Sequence, residues 1–176
     1  TFTYDGSNQT PALTVTVDGE TLTADTDYEV SWANNKDAGT ATATITGLGA
    51  YANPDVTKTL QITINKAKLV VTVGNASKTY GQADSEISVT PTISSGKVDS
   101  ESPSVKLKIA THAEDYAEEG YADVLQAEMK NATGVNKNYE IDTENSTWGK
   151  LTINKKSIAG LTYGFNVENK VYDGEA

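Results

Sequence analysis

Apolar side chains recur at every second position through much of the chain. Leu13, Val15 and Val17 alternate with Thr14 and Thr16, and Tyr28, Val30 and Trp32 alternate with Glu29 and Ser31. Ala41, Ala43 and Ile45 alternate with Thr40, Thr42 and Thr44, and Leu60, Ile62 and Ile64 with Gln61 and Thr63. A period of two places one set on one face of an extended chain and the other set on the opposite face. Each run therefore predicts a half-buried β-strand. Asp18-Gly19, Asn34-Asn35, Gly47-Leu48-Gly49 and Asn53-Pro54 separate the runs with turn-forming residues. Short strands at this spacing predict a β-sandwich over residues 1–66.

The alternation then restarts. Leu69, Val71 and Val73 lead, followed by Ile87 and Val89 before Pro91, then Val105, Leu107 and Ile109 against Lys106 and Lys108. Tyr139 with Ile141 and Leu151 with Ile153 complete the set. The chain thus reads as mainly β, with two tandem small β units. These span residues 1–66 and 67–155, with the boundary near Lys66–Lys68, and residues 156–176 form the truncated start of a further repeat. Internal echoes carry the same message. Ile62-Thr63-Ile64-Asn65-Lys66 returns as Leu151-Thr152-Ile153-Asn154-Lys155, Asp27–Val30 resembles Asn138–Ile141, and Tyr4-Asp5-Gly6 returns as Tyr172-Asp173-Gly174.

Two stretches read differently. In Ala113–Lys130, the residues Tyr116, Ala117, Gly120, Tyr121, Val124 and Leu125 fit a helical face as well as a strand. Gly120 disfavours a continuous helix by about 1 kcal/mol relative to Ala. A short helical turn near Ala113–Glu118 and a strand from Tyr121 are expected. In Ser157–Ala176, Leu161–Tyr163 and Phe165–Val167 read as strands without partners, expected to add to the sheet edge of a neighbouring copy.

Composition narrows the function classes. Thr is abundant and favours strands. Hydrophobic residues are 37% of the chain, which suits thin two-layer cores. The net charge is −10 and all 14 basic residues are Lys, so phosphate-backbone recognition and nucleic-acid binding are not expected. There is no Cys, hence no disulfide, thiolate metal site or Cys nucleophile. No apolar run reaches membrane-spanning length, so no membrane insertion is expected in these residues.

Over residues 2–66 the segments Asp25–Trp32, Ala38–Gly47, Gly49-Ala50-Tyr51 and the closing Thr63-Ile64-Asn65-Lys66 resemble the Ig-like repeats of bacterial surface proteins. Residues 67–155 resemble the MBG domain of the YGX type, through Leu69–Val73, Lys78-Thr79-Tyr80-Gly81, Gly120-Tyr121-Ala122, Asn138–Ile141 and Gly149–Ile153. The usual Pro shortly after Tyr-Gly is absent. Lys170–Gly174 is similar to the opening of a YDG-type repeat. The resemblance implies an extracellular, cell-surface array whose signal and anchor lie outside this fragment. It also implies a second unit of β-grasp-like form with one short helix. Its role would be stalk or spacer, with neighbouring repeats of the same chain as partners; host mucin or another glycan is the alternative partner.

Candidate chemistry is sparse. His112 is the single histidine and reads as a solvated surface residue, with no Gly-x-Ser-x-Gly elbow to supply a nucleophile; no enzyme and no catalytic residue is expected. Glu114, Asp115, Glu118, Glu119, Asp123 and Glu128 form an acidic run. That run leaves calcium as a candidate cofactor against the plainer reading of a solvated face, which the absence of EF-hand spacing favours. No other cofactor or metal is expected. Tyr28 and Trp32 share an apolar face and read as core. Tyr51, Tyr116 and Tyr163 lie outside the alternating runs and are the candidate ligand-binding aromatics.

Overall fold

The computed structural model describes residues 1–53 and 57–164. It is mainly β, with no helix of seven residues or more among the described residues. The N-terminal half contains β1 (Phe2–Thr3), β2 (Thr16–Val17), β3 (Glu20–Thr21), β4 (Tyr28–Ala33), β5 (Gly39–Gly47) and β6 (Thr57–Asn65). Four of these form a sheet in the order β1-β6-β5-β4, and β2 with β3 makes a separate ribbon. The segment leading into the ribbon lies over the Tyr28 face, where the Tyr28 hydroxyl donates to the Leu13 carbonyl at 3.1 Å. Tyr28 is buried and Trp32 half-buried, in line with their shared apolar face.

The C-terminal half contains β7 (Ala67–Thr72), β8 (Ala76–Thr79), β9 (Thr92–Ser95), β10 (Val105–Ile109), β11 (Ala117–Met129), β12 (Tyr139–Ile141) and β13 (Gly149–Asn154). One sheet runs β10-β11-β13-β8 and another β12-β7-β9. The first of these repeats the N-terminal sheet strand for strand. In both, the first strand of the sheet in sequence, β1 or β8, lies parallel to the last, β6 or β13, and the remaining neighbours are antiparallel. Leu151-Thr152-Ile153-Asn154 thus occupies the place of Ile62-Thr63-Ile64-Asn65. The resemblance between Asp27–Val30 and Asn138–Ile141 has no such meaning. The former lies in the β4–β5 hairpin, the latter in β12 alongside β7.

Several expected elements take another form. Ala113–Glu118 is not a helical turn: the chain is irregular to Tyr116 and extended from Ala117. Gly120 and Asp123 have φ of +71° and +56°, and the β11–β13 register shifts between Ala117 and Tyr121 and again between Tyr121 and Leu125. Across each irregularity β11 advances four residues against two of β13, and Val124 and Leu125 are both buried, so the spacing imitates a helix. Ile87–Val89 forms no strand, and only Thr16–Val17 of the Leu13–Val17 run is a strand. Leu161–Tyr163 is not a strand either; Ile158–Leu161 closes a turn through Leu161 N–H to Ile158 O at 2.9 Å. Phe165–Val167 and Tyr172-Asp173-Gly174 lie outside the described residues.

No ladder among the described residues pairs a strand before Lys66 with one after it. The buried apolar cluster nevertheless continues across this point, joining Tyr4, Ala41 and Ile64 to Leu69, Val71, Leu125, Tyr139, Leu151 and Ile153. Tyr4 and Tyr139 meet edge to face with ring centres 5.6 Å apart.

Candidate functional site

The contact between the halves is built around one carboxylate. Tyr4 and Tyr139 both donate their hydroxyls to Glu101, Tyr4 to Oε1 and Tyr139 to Oε2, the latter at 2.5 Å. The Tyr139 hydroxyl accepts the Val98 N–H at 3.0 Å. Beside this clamp, Asn138 accepts the Ala38 N–H through Oδ1 at 2.9 Å and donates through Nδ2 to Asp37 Oδ1 at 2.9 Å. Lys137 Nζ lies 2.8 Å from Asp37 Oδ2. The hydrogen bond from Lys137, with a second from Asn138, holds the Asp37 carboxyl below its ordinary range. Gly6, at φ +81°, passes close by; a Cβ there would stand 3.0 Å from Val98 Cγ1.

Burial first, and then the Glu101 carboxylate, push the Tyr4 phenol up to about 12. The same two causes push Tyr139 up to about 12. A phenol in the unfolded chain releases its proton near pH 10. The stability these tyrosines contribute is therefore complete below pH 10 and is lost as the pH rises towards 12. The expected loss is on the order of 2 kcal/mol per tyrosine. Urea titrations across pH 8–12 check this: the alkaline decline should flatten in Tyr4→Phe and Tyr139→Phe, and an unchanged slope contradicts the assignment.

A second polar cluster lies under the β10–β11 loop. Lys78 projects inward from β8 and is 4% exposed. Its Nζ lies 2.6 Å from Asp84 Oδ1 and 2.5 Å from Glu114 Oε2. Burial opposes the ammonium charge, but the hydrogen bonds to Asp84 and Glu114 outweigh it and raise the Lys78 pKa. His112 belongs to the same cluster and is not a surface residue, as its side chain is 3% exposed. The loop folds the imidazole over the Tyr121 ring at 5.7 Å and sets Nδ1 3.1 Å from the Ala110 carbonyl. Its Nε2 lies 3.6 Å from Asp84 and 3.5 Å from Glu114, beyond hydrogen-bond length. Asp84, His112 and Glu114 are the one group of three metal-capable side chains among the described residues. The Lys78 ammonium already lies between the two carboxylates, so a divalent ion there would meet a like charge at close range. We read the cluster as an ionic lock on the loop. Elsewhere in the acidic run, Glu118, Glu119 and Asp123 are exposed, and Glu128 pairs with Lys106 at 2.9 Å.

The three candidate aromatics do not converge on one site. Tyr51 ends a 3₁₀ turn in the N-terminal half and borders a hollow of about 260 Å³ with Val15, Val17, Leu22 and Ile45. Tyr116 stands at the mouth of β11 with Lys155 Nζ 4.6 Å above its ring. Tyr163 is 81% exposed on the segment after β13. Sequence reasoning missed Tyr80, which shares with Tyr116 a hollow of about 720 Å³ continued by Lys155, Ile158 and Leu161. Tyr80-Gly81 reads as a turn in sequence. Only the matched registers of β1 and β8 show that Thr79-Tyr80 repeats Thr3-Tyr4.

No described helix is long and apolar enough to cross a membrane. Compared with family models, with curated proteins and with solved structures, the chain matches none of them.

Proposed function

We propose that this chain is a non-catalytic repeat region of a bacterial surface protein. It acts as an extracellular stalk or spacer, with an Ig-like unit over 1–66, an MBG-like unit over 67–155 and the start of a further repeat over 156–176. The observation that carries this reading is the repeated four-stranded sheet, joined to its neighbour by the Glu101 clamp and the Asp37–Lys137–Asn138 contacts. A spacer needs units that hold their angle, and a short link with a packed joint limits bending. The acidic balance suits a soluble exposed array. No reaction is assigned to the single histidine: its Nε2 faces two carboxylates rather than a hydroxyl nucleophile.

A direct mucin- or glycan-binding role is the second reading, favoured by the adjoining exposed rings of Tyr80 and Tyr116. Aromatic faces with a nearby polar group are a common sugar platform. A mucin- and glycan-array assay on the chain decides between the readings. The spacer predicts no retained ligand, together with small-angle scattering that fits one fixed arrangement of the two halves. Binding abolished by Tyr116→Ala would establish the glycan reading instead.

A further inference from the structure

The registers of the two repeated sheets align residue by residue. Gly39 and Phe2 both flank Ile64, as Ala117 and Lys78 both flank Ile153. Counting outward, Tyr80 stands where Tyr4 stands, Asp115 where Asp37 stands, and Lys155 where Lys66 stands. The backbone bond past the paired strands is repeated too: Tyr4 N–H donates to Asn65 O at 2.8 Å and Tyr80 N–H to Asn154 O at 2.9 Å. What differs is coverage. Tyr4 is 4% exposed, packed beneath Tyr139 and bonded to Glu101, whereas Tyr80 is 50% exposed.

We infer that the Tyr80–Tyr116 hollow is the docking face for a further β unit of the same polypeptide, held by a joint of the Tyr4–Glu101–Tyr139 kind. This rests on the spacer reading and names the partner of that array. Charge specifies the occupant. A carboxylate placed as Glu101 is would accept the Tyr80 hydroxyl. A lysine placed as Lys137 is would meet Asp115, which is exposed at the counterpart of Asp37. Ile158 and Leu161, 77% and 69% exposed, supply apolar surface for an aromatic placed as Tyr139 is. A second copy of this chain is not the occupant, because its own Tyr4 already covers its Glu101 and Tyr139.

The test duplicates residues 67–155 in tandem within the full chain, so that the first Lys155 runs into a second Ala67. The first Tyr80 then faces a new Glu101 and Tyr139, while the last Tyr80 keeps its present surroundings as an internal control. Tyr80→Ala in the first copy is expected to lower the thermal midpoint by about 5 °C or more, and in the last copy by about 1 °C or less. Tyr80→Phe, which removes only the hydroxyl and keeps the ring, should shift the first copy by a smaller amount in the same direction. Small-angle scattering should show one fixed arrangement of all three units, loosened by the first-copy Tyr80→Ala. Equal effects at the two copies, with the added unit freely jointed, overturn the joint but leave standing the spacer reading, which rests on the fixed arrangement of the two halves in the unduplicated chain. Glycan capture lost on Tyr80→Ala in the unduplicated chain overturns both. Self-association of the unduplicated chain that Tyr80→Ala abolishes would replace the joint with a dimer contact.

Discussion

Tyr139→Ala is expected to destabilise the protein by about 4 kcal/mol or more. Tyr139 is 1% exposed, so truncating it empties space that the surroundings cannot fully refill. Large aromatic-to-alanine changes at such sites cost about 3–5 kcal/mol. The substitution also removes the acceptor of the Val98 N–H and one of the two phenols that hold Glu101. A buried group left without its partner costs about 1–3 kcal/mol more. Typical domain stabilities are about 5–15 kcal/mol, so the change removes a large share. Tyr139→Phe keeps the ring and its edge contact with Tyr4, and should cost about 1–3 kcal/mol. Urea denaturation of the three proteins measures both steps. A loss under about 1 kcal/mol in Tyr139→Ala contradicts the packing described.

Gly96→Ala should be comparably damaging for a different reason. Gly96 has φ +92°, and a Cβ there would lie 1.9 Å from the Lys68 carbonyl oxygen and 3.2 Å from Leu69 Cα. These are backbone atoms of β7, the strand that also pairs with β12 and so positions Tyr139. Relief requires β9 to part from β7, which exposes the fully buried Leu69. Gly81→Ala is the matched control, with φ +85° and nothing within 4 Å of the added carbon. Left-handed backbone alone costs about 1–2 kcal/mol for a non-glycine residue, so Gly81→Ala should lose about that much. Gly96→Ala should lose about 3 kcal/mol or more, as overpacked core substitutions do. Equal losses in thermal and urea unfolding would show that the dihedral, not the Lys68 contact, dominates at both.

Alternation made much of the fold legible. The strands Tyr28–Ala33, Gly39–Gly47, Val105–Ile109 and Gly149–Asn154 follow the runs that predict them, because burial alternates along most of each. The structure departs from the pattern where a second influence overrides the period. The bulges at Gly120 and Asp123 reset the phase of β11 and mimicked a helix. Strand β8 hid because its inward residue is Lys78, whose burial depends on Asp84 and on Glu114, 36 residues away. His112 departs from its expected surface place for the same reason: its polar neighbours in sequence conceal a buried site made by the fold. At the candidate face, Tyr116 was legible as an aromatic outside any run, while Tyr80 was not. Its equivalence to Tyr4 lies in a shared register, which no local pattern carries.

The parallel pairing of β1 with β6 has a mechanical consequence. In the N-terminal half the chain enters at the start of β1 and leaves at the end of its direct neighbour β6. Tension applied along the polypeptide then slides the two strands past each other, loading their hydrogen bonds together. Peeling an antiparallel end hairpin would instead break such bonds one after another. Pulled from its two ends, the N-terminal half meets force in its resistant direction.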